Sequence, residues 1–198
     1  MKVKFLLSLF IINIFILMEE HKPRNVLICG KPKSGKTTRA FQIASEILLN
    51  NPNSYCLVLT NRAKFIRKTP TIQNKNELAH RFLFKWISNK SELVRAASER
   101  HLFTEKQLSC IIVDDMYNFI IDQINPTSTI SAIALLWNSA LIYENCSLIV
   151  TTIMKNNDYI KSFRIIMDEY ESMQDGKPEI HKFHKSLKNM NADFFEGV

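Results

Sequence analysis

Glycine is scarce: there are four in 198 residues, at positions 30, 35, 176 and 197. A chain this poor in glycine has no room for flexible glycine-rich linkers or low-complexity repeats. Cysteine is sparse too. Cys29, Cys56, Cys110 and Cys146 lie far apart in apolar runs, which excludes metal-ligand spacing and speaks against a disulfide framework. They are expected as buried small hydrophobes in a reducing compartment. An apolar run long enough to span a bilayer is also missing. Residues 5–17 are apolar apart from Ser8 and Asn13, but a spanning helix needs about 20 such residues. Lys2 and Lys4 precede that run in the manner of a signal peptide, yet no small-residue cleavage site comes before Glu19 and Glu20. Residues 1–18 therefore stand apart as an apolar segment with three readings: an over-extended start with Met18 as the working initiator, a membrane or targeting signal, or a docking segment for an apolar partner. No membrane partner is expected for the rest, residues 19–198. At 46% hydrophobic and 23% charged, they read as a single domain with one core and a polar C-terminal tail.

Charge of one sign is absent from two long stretches. Residues 47–76 contain no Asp or Glu, and residues 107–154 contain no Lys or Arg. Residues 62–106 carry eleven Lys or Arg against four Glu, a net +7 that equals the excess of the whole chain. A basic region followed by an acidic one points to a polyanionic partner on one face, or to a solvated basic surface. Arg62, Lys64, Arg67 and Lys68, with Phe65 among them, are the candidate contacts for a nucleic-acid backbone and a stacked base. A contact for an acidic protein would look the same.

What is present is an alternation of short apolar runs and amphipathic stretches. Residues 25–29 (NVLIC), 55–60 (YCLVLT), 109–113 (SCIIV) and 146–152 (CSLIVTT) read as buried strands. Ala40, Ile43, Ala44, Ile47 and Leu48 mark one helix, which ends at the Asn-Asn-Pro-Asn cluster of residues 50–53. Leu78, Phe82, Leu83, Trp86 and Ile87 suggest a second helical face. Further helices are expected over 91–100 and 130–141, and a weak strand over 162–167. Strands separated by helical crossovers predict an α/β fold with a mainly parallel sheet and helices on both faces.

Two of the four glycines sit in Gly30-Lys31-Pro32-Lys33-Ser34-Gly35-Lys36-Thr37, followed by Thr38. This satisfies the G-x-x-x-x-G-K-[ST] pattern between a strand and a helix, the context the pattern requires. Small residues let backbone N–H groups wrap phosphates, and the following helix turns its positive end toward them. The motif implies ATP or another nucleoside triphosphate, with Lys36 on the β and γ phosphates and Thr37 on Mg²⁺. Asp114 ends the run CIIVD, at a strand's carboxyl end where such sheets bind ligands, and is the expected Mg²⁺ acid. Asp115 is either a water-activating base or a helix cap. Thr151 and Thr152 end the next strand, where a hydroxyl could reach the γ-phosphate or the attacking water.

These segments together (GKPKSGKTTRAFQIASEIL, CLVLTNRAKFIRKTP, CIIVDDMYNFI and SLIVTT) resemble the small RecA-like recombinase paralogues. Among them they look like the ATPase that partners a SWIM-type zinc-finger protein in Shu-type complexes. The resemblance covers roughly residues 25–155 and implies a RecA-like P-loop NTPase core, single-stranded DNA binding, help in assembling recombinase filaments during homologous recombination and double-strand break repair, a hetero-oligomer with the zinc-finger protein and a recombinase, and a nuclear location. It departs at one point: full recombinases carry a catalytic glutamate at the end of the second strand, where this chain has Thr60, Asn61 and Arg62. Loss of a general base typically costs 10²- to 10⁴-fold, so weak ATPase activity is expected, with Asp115 the one evident substitute. The alternatives are a P-loop small-molecule kinase, which would want arginines where residues 107–154 have none, and a viral-type DNA-packaging or helicase-like motor using Asp115 and Arg164.

Overall fold

The computed structural model describes residues 23–67, 70, 75–98, 107–118, 131, 134–135, 137–138, 146–153, 163 and 166–183. Among the described residues seven strands form one sheet: β1 (Val26–Gly30), β2 (Tyr55–Thr60), β3 (Phe82–Trp86), β4 (Leu108–Val113), β5 (Ser147–Thr152), β6 (Glu169–Gln174) and β7 (Lys177–Lys182). Their order is β3-β2-β4-β5-β1-β6-β7. Every pairing is parallel except that of β6 with β7, which form an antiparallel hairpin. The described helices are α1 (Lys36–Asn50), α2 (Arg62–Arg67), α3 (Lys75–Leu78) and α4 (Lys90–Ser98).

The continuous apolar runs are explained by burial on both faces of the sheet. Val26 and Ile28, Cys56 and Val58, and Cys110 and Ile112 point to one side, against Ala40, Phe41, Ile43, Ala44 and Leu48 of α1. Leu27 and Cys29, Leu57 and Leu59, and Ile111 and Val113 point to the other, against Leu93 and Ala96 of α4. A strand buried on both sides has no reason to alternate polar and apolar residues. Phe41 is fully buried and stacks on Phe82 at 5.1 Å between ring centroids. All four cysteines are buried and unpaired, as expected.

Two expectations need correction. The helical face at Leu78, Phe82, Leu83, Trp86 and Ile87 is instead α3, a 3-10 turn at Ala79–Arg81, and strand β3. The run Phe-Leu-Phe-Lys-Trp is aromatic and strand-prone. Pairing it with β2 puts Phe82 and Phe84 on the α1 side and Leu83 on the other, so the same residues satisfy a two-residue period. The described residues of the strand expected over 162–167 are not in a strand. Phe163, Ile166 and Met167 are buried in turns that feed β6, seven residues later than the expected start. Within the polar tail, Lys177–Lys182 form β7. Of the helix expected over 130–141, the described residues Ser131, Ala134, Leu135, Trp137 and Asn138 are helical. The segment 1–18, residues 184–198 and Arg164 lie outside the described residues.

Strand β6 reads Glu-Tyr-Glu-Ser-Met-Gln, yet it lies inside the sheet with Glu169 and Glu171 buried. Burial of a carboxylate is tolerable only when it is paired. Arg39 of α1 grips Glu171 with two N–H···O bonds of 2.7 and 2.8 Å. Arg24 bonds Glu169 and approaches Glu171 at 3.5 Å. These contacts fasten β6 to both α1 and the start of β1.

Candidate functional site

The loop after β1 is shaped by its glycines. A Cβ on Gly30 would lie 2.6 Å from Ser34 Oγ and 2.9 Å from the Met173 carbonyl oxygen, so no side chain fits between β1 and β6 there. Gly35 caps α1 at φ 94°, and Lys33 also adopts a positive φ, 66°. The loop closes on itself through the Ser34 N–H, which donates to the Lys31 carbonyl at 3.2 Å. Lys36 begins α1 and is 9% exposed, its ammonium donating to the carbonyls of Gly30 at 3.0 Å and Lys31 at 2.6 Å. Lys31, Pro32 and Lys33 are exposed at the rim, and Thr37 and Thr38 are half-buried in the first turn of α1.

Asp114 faces this loop from the end of β4. It is 7% exposed and accepts three hydroxyls: Thr37 at 2.9 Å, Thr151 at 2.8 Å and Thr60 at 3.3 Å. Burial raises its pKa above the ordinary 3.8, and the hydroxyls of Thr151 and Thr37 work against that rise. Thr151 does double duty, because its oxygen also accepts the Asp115 N–H at 2.6 Å. Asp115 itself is half-buried with φ 59°, a left-handed conformation uncommon for a residue with a side chain. The strand ends thus bring together Lys36, Thr37, Asp114, Asp115 and Thr151, drawn from three parts of the sequence. Thr60 was expected only as the place of a missing glutamate, but it belongs to the group as a donor to Asp114.

Two hydroxyls test whether this constellation fits a polyanion and a cation. Ser34 Oγ and Thr152 Oγ1 are buried without a hydrogen-bond partner among the described residues. An orphaned donor within a phosphate-type loop is what a bound oxyanion would satisfy. For the cation, Thr37 and Asp114 supply a hydroxyl and a carboxylate 2.9 Å apart, the hard oxygen donors Mg²⁺ takes. Among the described residues no cluster of three metal-ligating side chains exists. A cation here would therefore draw its remaining ligands from phosphate and water, the usual habit of Mg²⁺. The residues present fit both groups.

The loop also has a second wall that sequence reasoning did not find. A cleft of 560 Å³ lies between the loop residues and Ser172, Met173, Gln174, Asp175 and Gly176 of the β6–β7 hairpin. The available signal was the Asp175-Gly176 dipeptide, the strongest short-range mark of a hairpin, with φ values of 48° and 80°. It lay hidden because β6 carries charges and β7 is polar. Of the candidate nucleic-acid residues, Arg62, Lys64 and Arg67 sit elsewhere, in α2. Arg62 is exposed, while the side chains of Lys64, Arg67 and Lys68 lie outside the described residues. Phe65 is turned inward, its ring 4.8 Å from Phe84 and 5.9 Å from Trp86 between centroids, so it does not offer the free stacking face expected of it.

No protein-family model matches the sequence, and neither does any curated protein. Among 380 matching chains of solved structures is the flagellar accessory protein FlaH from Methanocaldococcus jannaschii, at a TM-score of 0.52 and 16% identity. That alignment covers 82% of this chain and 80% of the other. The similarity establishes the fold, the α/β RecA-like P-loop NTPase architecture expected from the sequence.

Proposed function

We propose that this chain binds a magnesium nucleoside triphosphate, foremost ATP, as an accessory subunit of homologous recombination and double-strand break repair that turns nucleotide over slowly. The observation that carries the nucleotide reading is the meeting of the Lys36–Thr37 loop with Asp114 across β5. Lys36 would exchange its two carbonyl partners for phosphate oxygens, the N–H groups of residues 33–38 would hold the phosphates, and Thr37 and Asp114 would hold the cation. Bound Mg²⁺ would supply charge neutralisation at the terminal phosphates. Asp115 is the carboxylate that would act on water. Its left-handed backbone and its N–H bond to Thr151 fix where it stands.

The recombination role rests on the resemblance of residues 25–155, together with the charge asymmetry. Single-stranded DNA would follow the basic segment of Arg62, Lys64, Arg67 and Lys68. The exposed aromatic beside it is Trp86, 41% exposed, which takes the stacking role that Phe65 does not. A SWIM-type zinc-finger protein and a recombinase are the proposed partners, and the nucleus is the proposed location.

The test is calorimetric binding of ATP with Mg²⁺ and fluorescence binding of single-stranded DNA over a salt series, with phosphate release followed in the same samples. Wild type is set beside Lys36→Ala, which should weaken ATP at least 100-fold and leave the melting temperature within a few degrees. Binding to DNA should fall steeply with salt, as counterion release demands. Rapid phosphate transfer to a small acceptor without DNA binding would refute the recombination reading.

A further inference from the structure

The strand order gives the nucleotide site a direction. Asp114, Thr60 and Thr151 stand at the ends of β4, β2 and β5, all on one side of β1. The β6–β7 turn stands on the other side of β1. A nucleotide with its terminal phosphates and cation against Thr37 and Asp114 that runs its nucleoside away from β5 passes over β6. On that side lies the cleft of 560 Å³ between the phosphate loop and the hairpin turn, within the range of small-ligand pockets.

The turn is a fixed wall. Gly176 Cα lies 3.7 Å from the place a Cβ on Gly35 would take, and the Met173 carbonyl crowds Gly30, so the hairpin rests directly on the loop. Its two central residues both have positive φ, the geometry of a tight two-residue hairpin turn. One turn back, Glu171 is clamped by Arg39. Of the side chains on this wall, Asp175 alone is charged. A carboxylate repels phosphate but suits a vicinal diol, which offers it two O–H donors in charge-assisted bonds.

We propose that Asp175 reads the ribose, accepting hydrogen bonds from the 2′ and 3′ hydroxyls, so that the site takes ribonucleoside over deoxyribonucleoside triphosphates. This rests on the nucleotide-binding reading above. The experiment measures dissociation constants of ATP, dATP and inorganic tripolyphosphate, with Mg²⁺, for the full chain and for Asp175→Asn and Asp175→Gly. Both replacements tolerate the left-handed backbone at this position. Wild type should prefer ATP to dATP by about tenfold. Asp175→Gly should bring the two within twofold, Asp175→Asn should fall between, and tripolyphosphate should bind each variant as tightly as wild type or more so. An ATP preference untouched by either variant, or equal binding of ATP and dATP by wild type, overturns the ribose assignment and leaves nucleotide binding standing. Failure of wild type to bind both ATP and tripolyphosphate overturns the nucleotide reading itself and this inference with it.

Discussion

The Arg39–Glu171 pair lends itself to a thermodynamic cycle whose asymmetry follows from burial. Glu171 is fully buried, whereas the Arg39 side chain keeps 17% of its surface. Arg39→Met strands a carboxylate with only Arg24 at 3.5 Å. Breaking a buried pair in this way costs about 3–5 kcal/mol. At roughly 2–4 °C per kcal/mol for a chain of this size, the melting temperature should fall by about 6–20 °C. Glu171→Leu leaves a guanidinium that can turn to water along its aliphatic stem, so its cost should be about 1–2 kcal/mol. The double variant replaces the pair by apolar side chains of similar volume and should lie near Glu171→Leu rather than at the sum of the two. Thermal and urea unfolding of all four proteins reads the coupling directly, with an expected value above about 2 kcal/mol. Single costs that add within about 0.5 kcal/mol, or an Arg39→Met variant as stable as wild type, would refute the claim that this pair holds β6 in the sheet.

Gly30→Ala should destabilise the fold by about 1–3 kcal/mol. Its Cβ would meet the Met173 backbone at 2.9 Å, so a second change, Ser34→Ala, should recover only part of the loss in denaturant melts. The raised pKa of Asp114 makes the folded chain the better proton binder. The stability it contributes is therefore present below about 3.8 and lost as pH rises through the folded value. Asp114→Asn should accordingly match wild type near pH 3 and become the more stable of the two by pH 7 in melts without nucleotide, while losing Mg²⁺-dependent ATP binding. A variant less stable than wild type at neutral pH would show that the three hydroxyls outweigh the burial.

The legible part of the fold was the part whose signal is local. The glycine-lysine loop between a strand and a helix, and apolar runs ending in Asp114 and Thr152, announce themselves because each needs only its own neighbours. Strand β6 was invisible for the opposite reason. Glu169 and Glu171 read as solvent residues until Arg24 and Arg39, more than 130 positions away, neutralise them. Strand β3 was mistaken for a helix because Leu78, Phe82, Leu83, Trp86 and Ile87 satisfy both periods, and only pairing with β2 decides between them. The role of Thr60 could not be seen at all, since a hydroxyl at a strand end acquires meaning only when Asp114 from another strand comes within reach.

Thr60 also bears on how the proposed site would treat its nucleotide. The resemblance to full recombinases places a catalytic glutamate at the end of the second strand. Here that position holds a hydroxyl, 1% exposed, that donates to Asp114 Oδ2 at 3.3 Å. A second carboxylate in that place would face Asp114 in a buried setting, where like charges cannot both stay ionised without large cost. The threonine instead donates a hydrogen bond that works against the burial-driven rise of the Asp114 pKa, which would suit a single carboxylate holding a cation. With no acid at the end of β2, activation of water would, on the proposed reading, fall to Asp115, whose left-handed backbone donates its N–H to the Thr151 oxygen. Restoring the acid by Thr60→Glu should therefore cost stability and cation binding rather than create fast turnover. On the proposed reading, ATP in this chain is chiefly a ligand that fixes the loop, α1 and the β6–β7 hairpin to one another, and hydrolysis is the slow step that lets them go.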